Sequence, residues 1–263
     1  MARNPHLRKL PRSPVAILGA VVSAIVVSVG AAGAAAGSDP TPGAAQSPID
    51  FREDDITFVD RLPVLEFSYP RRTDVTLVNT GSPDEETTIR ADVSAGAAFV
   101  TVGGVRYDLL QFHWHTPSEH EIEGERTPLE MHFVHRAADG SLLVVAVFIE
   151  EGSKNRKLKR IFRALPEHAG DIVQVSRVRL SDALPREDDS FRYDGSLTTP
   201  PFTEGVRWIV LADPIRMSER QIDAFRDLFE EGNSRDVQPL NGRVVLSDAE
   251  DAFEDEEDTF EDD

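Results

Sequence analysis

The chain has 263 residues, 40% of them hydrophobic, which suits one domain of 200 or more residues with ends to spare. Asp and Glu number 47 against 28 Lys and Arg, a net charge of −19 that argues against nucleic acid as a partner, because phosphate binding needs basic surface. There is no cysteine, so disulfides and thiolate metal sites are excluded; export is not, since a chain of this size is stable without disulfides.

The charge is unevenly spread. Residues 1–37 hold Arg3, Arg8, Lys9 and Arg12 and no acid, followed by the apolar run Val15 to Ala36 with small residues at Ala34, Ala35 and Ala36. This reads as a signal peptide, or as a membrane anchor if it stays uncleaved, and either way the body is exported to the periplasm or beyond. Residues 38–45 read as a linker. The folded body spans 46–247 and is acidic in its own right, while 248–263 carries 11 acids and no base and reads as a disordered tail.

Within the body, short alternating runs at Val75–Val78, Ile89–Val93 and Phe99–Val102 are separated by turn residues, the signature of a β-rich sheet. Leu142 to Ile149 is apolar at every position, which predicts a strand buried on both faces. Two helices are expected. One is Lys157 to Leu165, stopped by Pro166. The other is Ser218 to Glu231, opened by a Ser218–Gln221 capping box. Their apolar stripes are packing faces.

Five of the seven histidines fall between Gln111 and His135. His113 and His115 share one face of a strand, because side chains at i and i+2 point the same way. His132 lies on a second alternating run, Leu129 to Val134. If the two runs pair, three imidazoles converge on one point, and three neutral histidines with an open fourth position are the ligand set of a catalytic zinc. A His-x-His pair alone is also what a solvated polar face looks like. The flanking residues favour the metal: Gln111 precedes His113 by two and Glu130 precedes His132 by two, each placed to take its histidine's other N–H. Glu119 adds a carboxylate in an apolar neighbourhood.

These residues resemble the α-class carbonic anhydrases in their bacterial form. Gln46-Ser47-Pro48-Ile49-Asp50 is similar to the family's opening motif, Gln111 to His135 to its zinc segment, and Tyr193 to Pro201 to its substrate loop. Val206 to Leu211 and Gln238 to Arg243 follow in the expected order, so the resemblance covers 46 to about 247. It implies a single mainly β domain, a large twisted, mostly antiparallel sheet with short peripheral helices. It also implies reversible hydration of carbon dioxide to bicarbonate and a proton by zinc-bound hydroxide. By resemblance, Thr198 orients the hydroxide and Glu119 takes the threonine's proton. Val134, Val144, Leu197, Val206 and Trp208 wall the carbon dioxide pocket, and Thr199 helps bind bicarbonate. The backbone carbonyl of Asn233 faces His115, while His120 and His135 are structural. The resemblance assigns no oligomeric state, and it brings a membrane into play only through an uncleaved leader.

Three departures stand out. Thr87 occupies the place of the family's proton-shuttling histidine, after an Asn79-Thr80-Gly81 turn and the insertion Ser82-Pro83-Asp84-Glu85-Glu86. Carboxylates in that insertion are mismatched in pKa to a zinc water near 7, so proton transfer is expected to limit turnover. The aromatic segment that precedes the opening motif is missing, and so is the cysteine pair of exported members. The competing readings are a non-catalytic binding domain on the same fold, which typically lacks a zinc histidine, and a zinc hydrolase acting on esters.

Overall fold

The computed structural model describes residues 43–81 and 87–253. The leader, most of the linker, the insertion Ser82–Glu86 and the end of the acidic tail lie outside the described residues. In chain order the strands are β1 (Asp50–Phe51), β2 (Ile56–Phe58), β3 (Leu65–Ser68), β4 (Thr73–Asn79), β5 (Ile89–Val93), β6 (Phe99–Val102), β7 (Val105–His115), β8 (Glu121–Ile122), β9 (Leu129–Ala137) and β10 (Leu142–Glu151). They continue with β11 (Ile172–Val178), β12 (Ser190–Ser196), β13 (Glu204–Met217) and β14 (Val245–Ser247), and the α-helix is α1 (Glu219–Arg226).

Twelve strands form one sheet in the order β11-β4-β5-β7-β9-β10-β13-β12-β14-β2, with β6 also on β7 and β3 on β6. Only β10–β13 and β14–β2 are parallel in it, so the sheet is mostly antiparallel, as expected. Its centre is β10, whose uniform apolarity has a direct cause. Leu143, Val145, Val147 and Ile149 enter one core cluster, and Val144, Ala146 and Phe148 enter a second cluster on the other face. A strand covered on both sides has no use for alternation.

The neighbouring β7 and β9 do alternate. Phe112, Trp114, Met131 and Phe133 fill the first cluster, which leaves His113, His115 and His132 on the opposite face. A bulge between Leu109 and Gln111 re-phases β7, so that Leu109 is in the core and Phe112 and Trp114 are too. Without that extra residue the histidines would face the core.

The helices differ from expectation. Lys157 to Leu165 forms only a three-residue 3-10 turn, Leu158–Arg160. The Asn155 side-chain oxygen accepts from the N–H groups of Lys157 and Leu158 and satisfies the donors that open the turn, while Pro166 ends the segment too soon for a helix to be established. The apolar spacing still buries Leu158, Ile161 and Phe162. The second helix ends at Arg226 rather than Glu231, and the Ser218 side chain caps no helix N–H but donates to Gln221 Oε1 at 3.2 Å. Gln221 is diverted from the capping box: its Oε1 accepts from Asn155 N at 2.9 Å and its Nε2 donates to Asn155 O at 2.9 Å. The acidic run also differs, because its first residues are folded. Asp248 accepts from Ser190 N at 2.9 Å, and Phe253 packs on Phe58 and Phe191.

Phe225 anchors α1 against Phe229 and Trp114 and is fully buried. Phe225→Ala should lower unfolding free energy by about 3–5 kcal/mol, while Ile172→Thr, at an exposed edge position, should stay within about 0.5 kcal/mol. Urea denaturation of both variants checks this pair.

Candidate metal centre and active site

The strand register assembles the site in two rows across the sheet. One row runs Arg90, His113, His132, Ala146 through β5, β7, β9 and β10. The next runs Asp92, Gln111, Val134, Val144, Trp208 through β5, β7, β9, β10 and β13. His115 stands opposite Glu130. Directly opposed residues of paired strands share a face, so the histidines and the apolar wall are adjacent.

One nitrogen from each of His113, His115 and His132 lies within 4.8 Å of the other two, and all three residues are buried. Each ring has an oxygen on its other nitrogen. His113 Nδ1 meets Gln111 Oε1 at 2.8 Å, His115 Nδ1 meets the Asn233 carbonyl at 3.0 Å, and His132 Nε2 meets Glu130 Oε1 at 2.8 Å. An oxygen acceptor requires N–H at that nitrogen. The partners therefore assign lone pairs to Nε2, Nε2 and Nδ1. Burial pushes the His132 pKa down to about 3, against an opposing pull from Glu130, so the ring is neutral and competent as a ligand. Three neutral imidazole donors with set tautomers fit a divalent metal with one open position.

Among the described residues a second group, His120, Glu130 and His132, is equally close. It is joined by hydrogen bonds instead. His120 Nδ1 contacts Glu130 Oε1 at 2.7 Å, His120 Nε2 contacts the Tyr193 hydroxyl at 2.7 Å, and His132 uses Nε2 on the same carboxylate. Burial raises the Glu130 pKa, but His120 and His132 outweigh it and hold the group well below the usual carboxylate range. His135 is likewise buried, with Nε2 2.7 Å from the Tyr69 hydroxyl.

Glu119 accepts the Arg235 backbone N–H at 2.9 Å through Oε1. Burial raises its pKa to about 7, with His115, the Arg235 amide and the Thr198 hydroxyl pulling downward and Glu130 upward. Thr198 is buried beside it, yet Glu119 Oε2 completes no hydrogen bond. Thr199 is half-buried in the turn closed by Phe202 N to Thr199 O (2.8 Å) and Leu197 N to Thr203 O (2.9 Å). Val134, Val144, Leu197, Val206 and Trp208 pack in one apolar cluster. The Trp208 ring lies 4.9 Å from His132, and its Nε1 donates to Ser196 O at 2.9 Å.

Sequence reading missed two supports. The Arg235 guanidinium lies over the Phe202 ring at 3.8 Å and donates to Gln46 Oε1 and Ser47 O, tying the opening motif to the loop that carries Thr198. The Asn233 side chain bonds Thr116 N, Trp114 O and Thr87 O, locking the chain beside His115. Both residues lie in an irregular segment where periodicity carries no signal. The resemblance named Asn233 for its carbonyl, not for its side chain, and nothing in the sequence pointed to Arg235.

The fold and this buried histidine centre together define a zinc-type carbonic anhydrase architecture. Residues 36–249 match the eukaryotic-type carbonic anhydrase family, and the chain belongs to that family. It is 39% identical over 203 residues to a carbonic anhydrase from Klebsiella pneumoniae, covering 76% of this chain and 79% of the relative. It is also 39% identical over 160 residues to one from Pectobacterium atrosepticum, where the match spans 65% of the relative, just under two thirds of its length. The structure resembles the α-carbonic anhydrase of Thermovibrio ammonificans solved with the inhibitor sulfanilamide. The TM-score is 0.72 at 39% identity, over 78% of this chain and 87% of that one.

Two outcomes follow. Gln111→Ala should weaken metal binding about tenfold with the fold intact, read by chelator competition. His135, held by burial at a pKa of about 4, refuses a proton that the unfolded chain accepts near 6.5. Its contribution to stability is complete above about pH 6.5 and is lost as pH falls toward 4, a loss of about 2 kcal/mol by pH 5. His132 acts with the same sign and Glu119 with the opposite one, so the comparison with His135→Gln isolates the effect. The stability gap between wild type and that variant, from urea midpoints, should narrow by about 2 kcal/mol between pH 8 and pH 5.

Proposed function

We propose that this protein catalyses the reversible hydration of carbon dioxide to bicarbonate and a proton, with zinc held by His113, His115 and His132, and that proton transfer limits its turnover. The observation that carries the reading is the set of three buried imidazoles with assigned tautomers set against an apolar wall. A zinc ion bound there supplies acidity that brings a water's pKa to about 7, and positive charge that favours ionised Glu119.

The chain's own residues do the rest. Carbon dioxide is small and carries no hydrogen-bond donor, so Val134, Val144, Leu197, Val206 and Trp208 receive it by contact alone. Ionised Glu119 accepts a hydrogen bond from the Thr198 hydroxyl, which leaves the lone pairs of Thr198 Oγ1 to accept from the nucleophile and aim it at carbon. Thr199, on the solvent side of the same turn, offers its hydroxyl to bicarbonate. Gln111, Glu130 and the Asn233 carbonyl hold the three rings in place.

Proton exit is the weak step. Thr87 cannot titrate, His120 and His135 are buried, and Asp84, Glu85 and Glu86 lie outside the described residues. His168 is exposed on a segment where Gly170 N bonds Asn79 O, and it contacts Asp171 at 3.3 Å. Export of the domain, with or without an uncleaved anchor, is part of the same reading and rests on the basic and apolar pattern of 1–37.

Stopped-flow carbon dioxide hydration at low and high buffer, with zinc quantified in the same sample, tests the proposal. Turnover should rise steeply with buffer at one zinc per chain, and Thr87→His should raise turnover at low buffer. Full zinc occupancy without hydration would overturn the catalytic reading. Fast turnover indifferent to buffer would overturn the proton-transfer limit, and its loss in His168→Ala would then assign the proton to His168.

A further inference from the structure

Arg90 and Asp92 have no part in the chemistry above, yet the fold places them at its border. In β5 the alternation buries Ile89 and Ala91 in the core cluster of Phe112 and Trp114. Arg90 and Asp92 therefore take the other face, the one that carries the histidines. The register sets Arg90 opposite His113 and Asp92 opposite Gln111. Opposed antiparallel residues have Cβ atoms about 5 Å apart, so the guanidinium stem rises next to a metal ligand.

The arginine is held in position. Its Nε donates to Asp92 Oδ1 at 2.8 Å and its Nη2 to Asp92 Oδ2 at 3.4 Å, with the two side chains 35% and 39% exposed. An ion pair this exposed contributes little to stability. Guanidinium carries five N–H donors, and Asp92 engages two nitrogens from one side, leaving the remaining donors for a planar oxyanion.

We propose that Arg90 is the anion contact of the site, binding bicarbonate at the solvent side of His113, with the Asp92 carboxylate competing for the guanidinium and moderating its hold on the anion. This rests on the reading that the site interconverts carbon dioxide and bicarbonate.

The test measures bicarbonate in two ways on the zinc-loaded protein: as a product inhibitor of hydration, and by direct calorimetric titration. Arg90→Gln should raise both constants about fivefold, the scale of a half-exposed charge contact. Arg90→Lys should recover part of the loss, and Asp92→Asn should tighten binding. Arg106→Gln serves as the control, because it removes an exposed Arg-x-Asp pair of the same kind from the far end of β7. Unchanged constants in Arg90→Gln, equal weakening by Arg106→Gln, or weakening by Asp92→Asn would overturn the proposal. Absence of hydration in the zinc-loaded wild type would sink the catalytic reading instead, and the calorimetric comparison would still decide Arg90.

Discussion

One buried carboxylate organises the site. Glu130 Oε2 accepts the backbone N–H groups of Glu119 and His120, and its Oε1 accepts from His120 and His132. A buried charge without partners is among the most costly features a fold can hold, whereas one with four hydrogen bonds is stable and rigid. Through those bonds Glu130 sets the tautomer of His132 and the path of the chain that carries Glu119. It also sets the orientation of His120, which reaches Tyr193 and, through it, Ser47 of the opening segment.

That arrangement works because the sheet separates its two faces so completely. The face of Phe112, Trp114, Met131 and Phe133 is a dry core that also receives α1 and the 3-10 turn. The other face carries the histidines and a smaller apolar cluster around Trp208. A substrate without charge needs apolar surface, and its product needs polar surface. The two cross-strand rows put both within a strand's width of each other. The close approach of Ser47 to β12 is possible because Gly195 has no side chain; a Cβ there would collide with Ser47 Oγ and Tyr193.

Loops complete the site in ways that link distant parts of the chain. Arg235 joins Glu119, Gln46, Ser47 and Phe202, and Asn233 joins His115, Thr116, Trp114 and Thr87. Two residues apart, they tie the irregular segment after α1 to both β7 and the Leu197–Thr203 turn. Rigidity of this kind is what lets a small set of side chains hold a geometry that catalysis needs.

Much of this was written in local sequence. The period-2 alternation of β7 and β9 determined that His113, His115 and His132 would share a face with Gln111 and Glu130, because side-chain direction on a strand depends only on spacing. The unbroken apolarity of 142–149 determined a central strand. Tertiary structure decided what spacing cannot encode. The bulge at Leu110 aims β7, Gln221 turns its side chain to the Asn155 backbone, and 157–165 stops short of a helix. Asp248 to Phe253 folds onto β12 and β2 despite its acidity. Above all, the register sets Arg90 opposite His113, and the irregular segment after α1 brings Arg235 to Glu119. Such pairings join residues 23 to 116 positions apart, and only the folded chain brings them together.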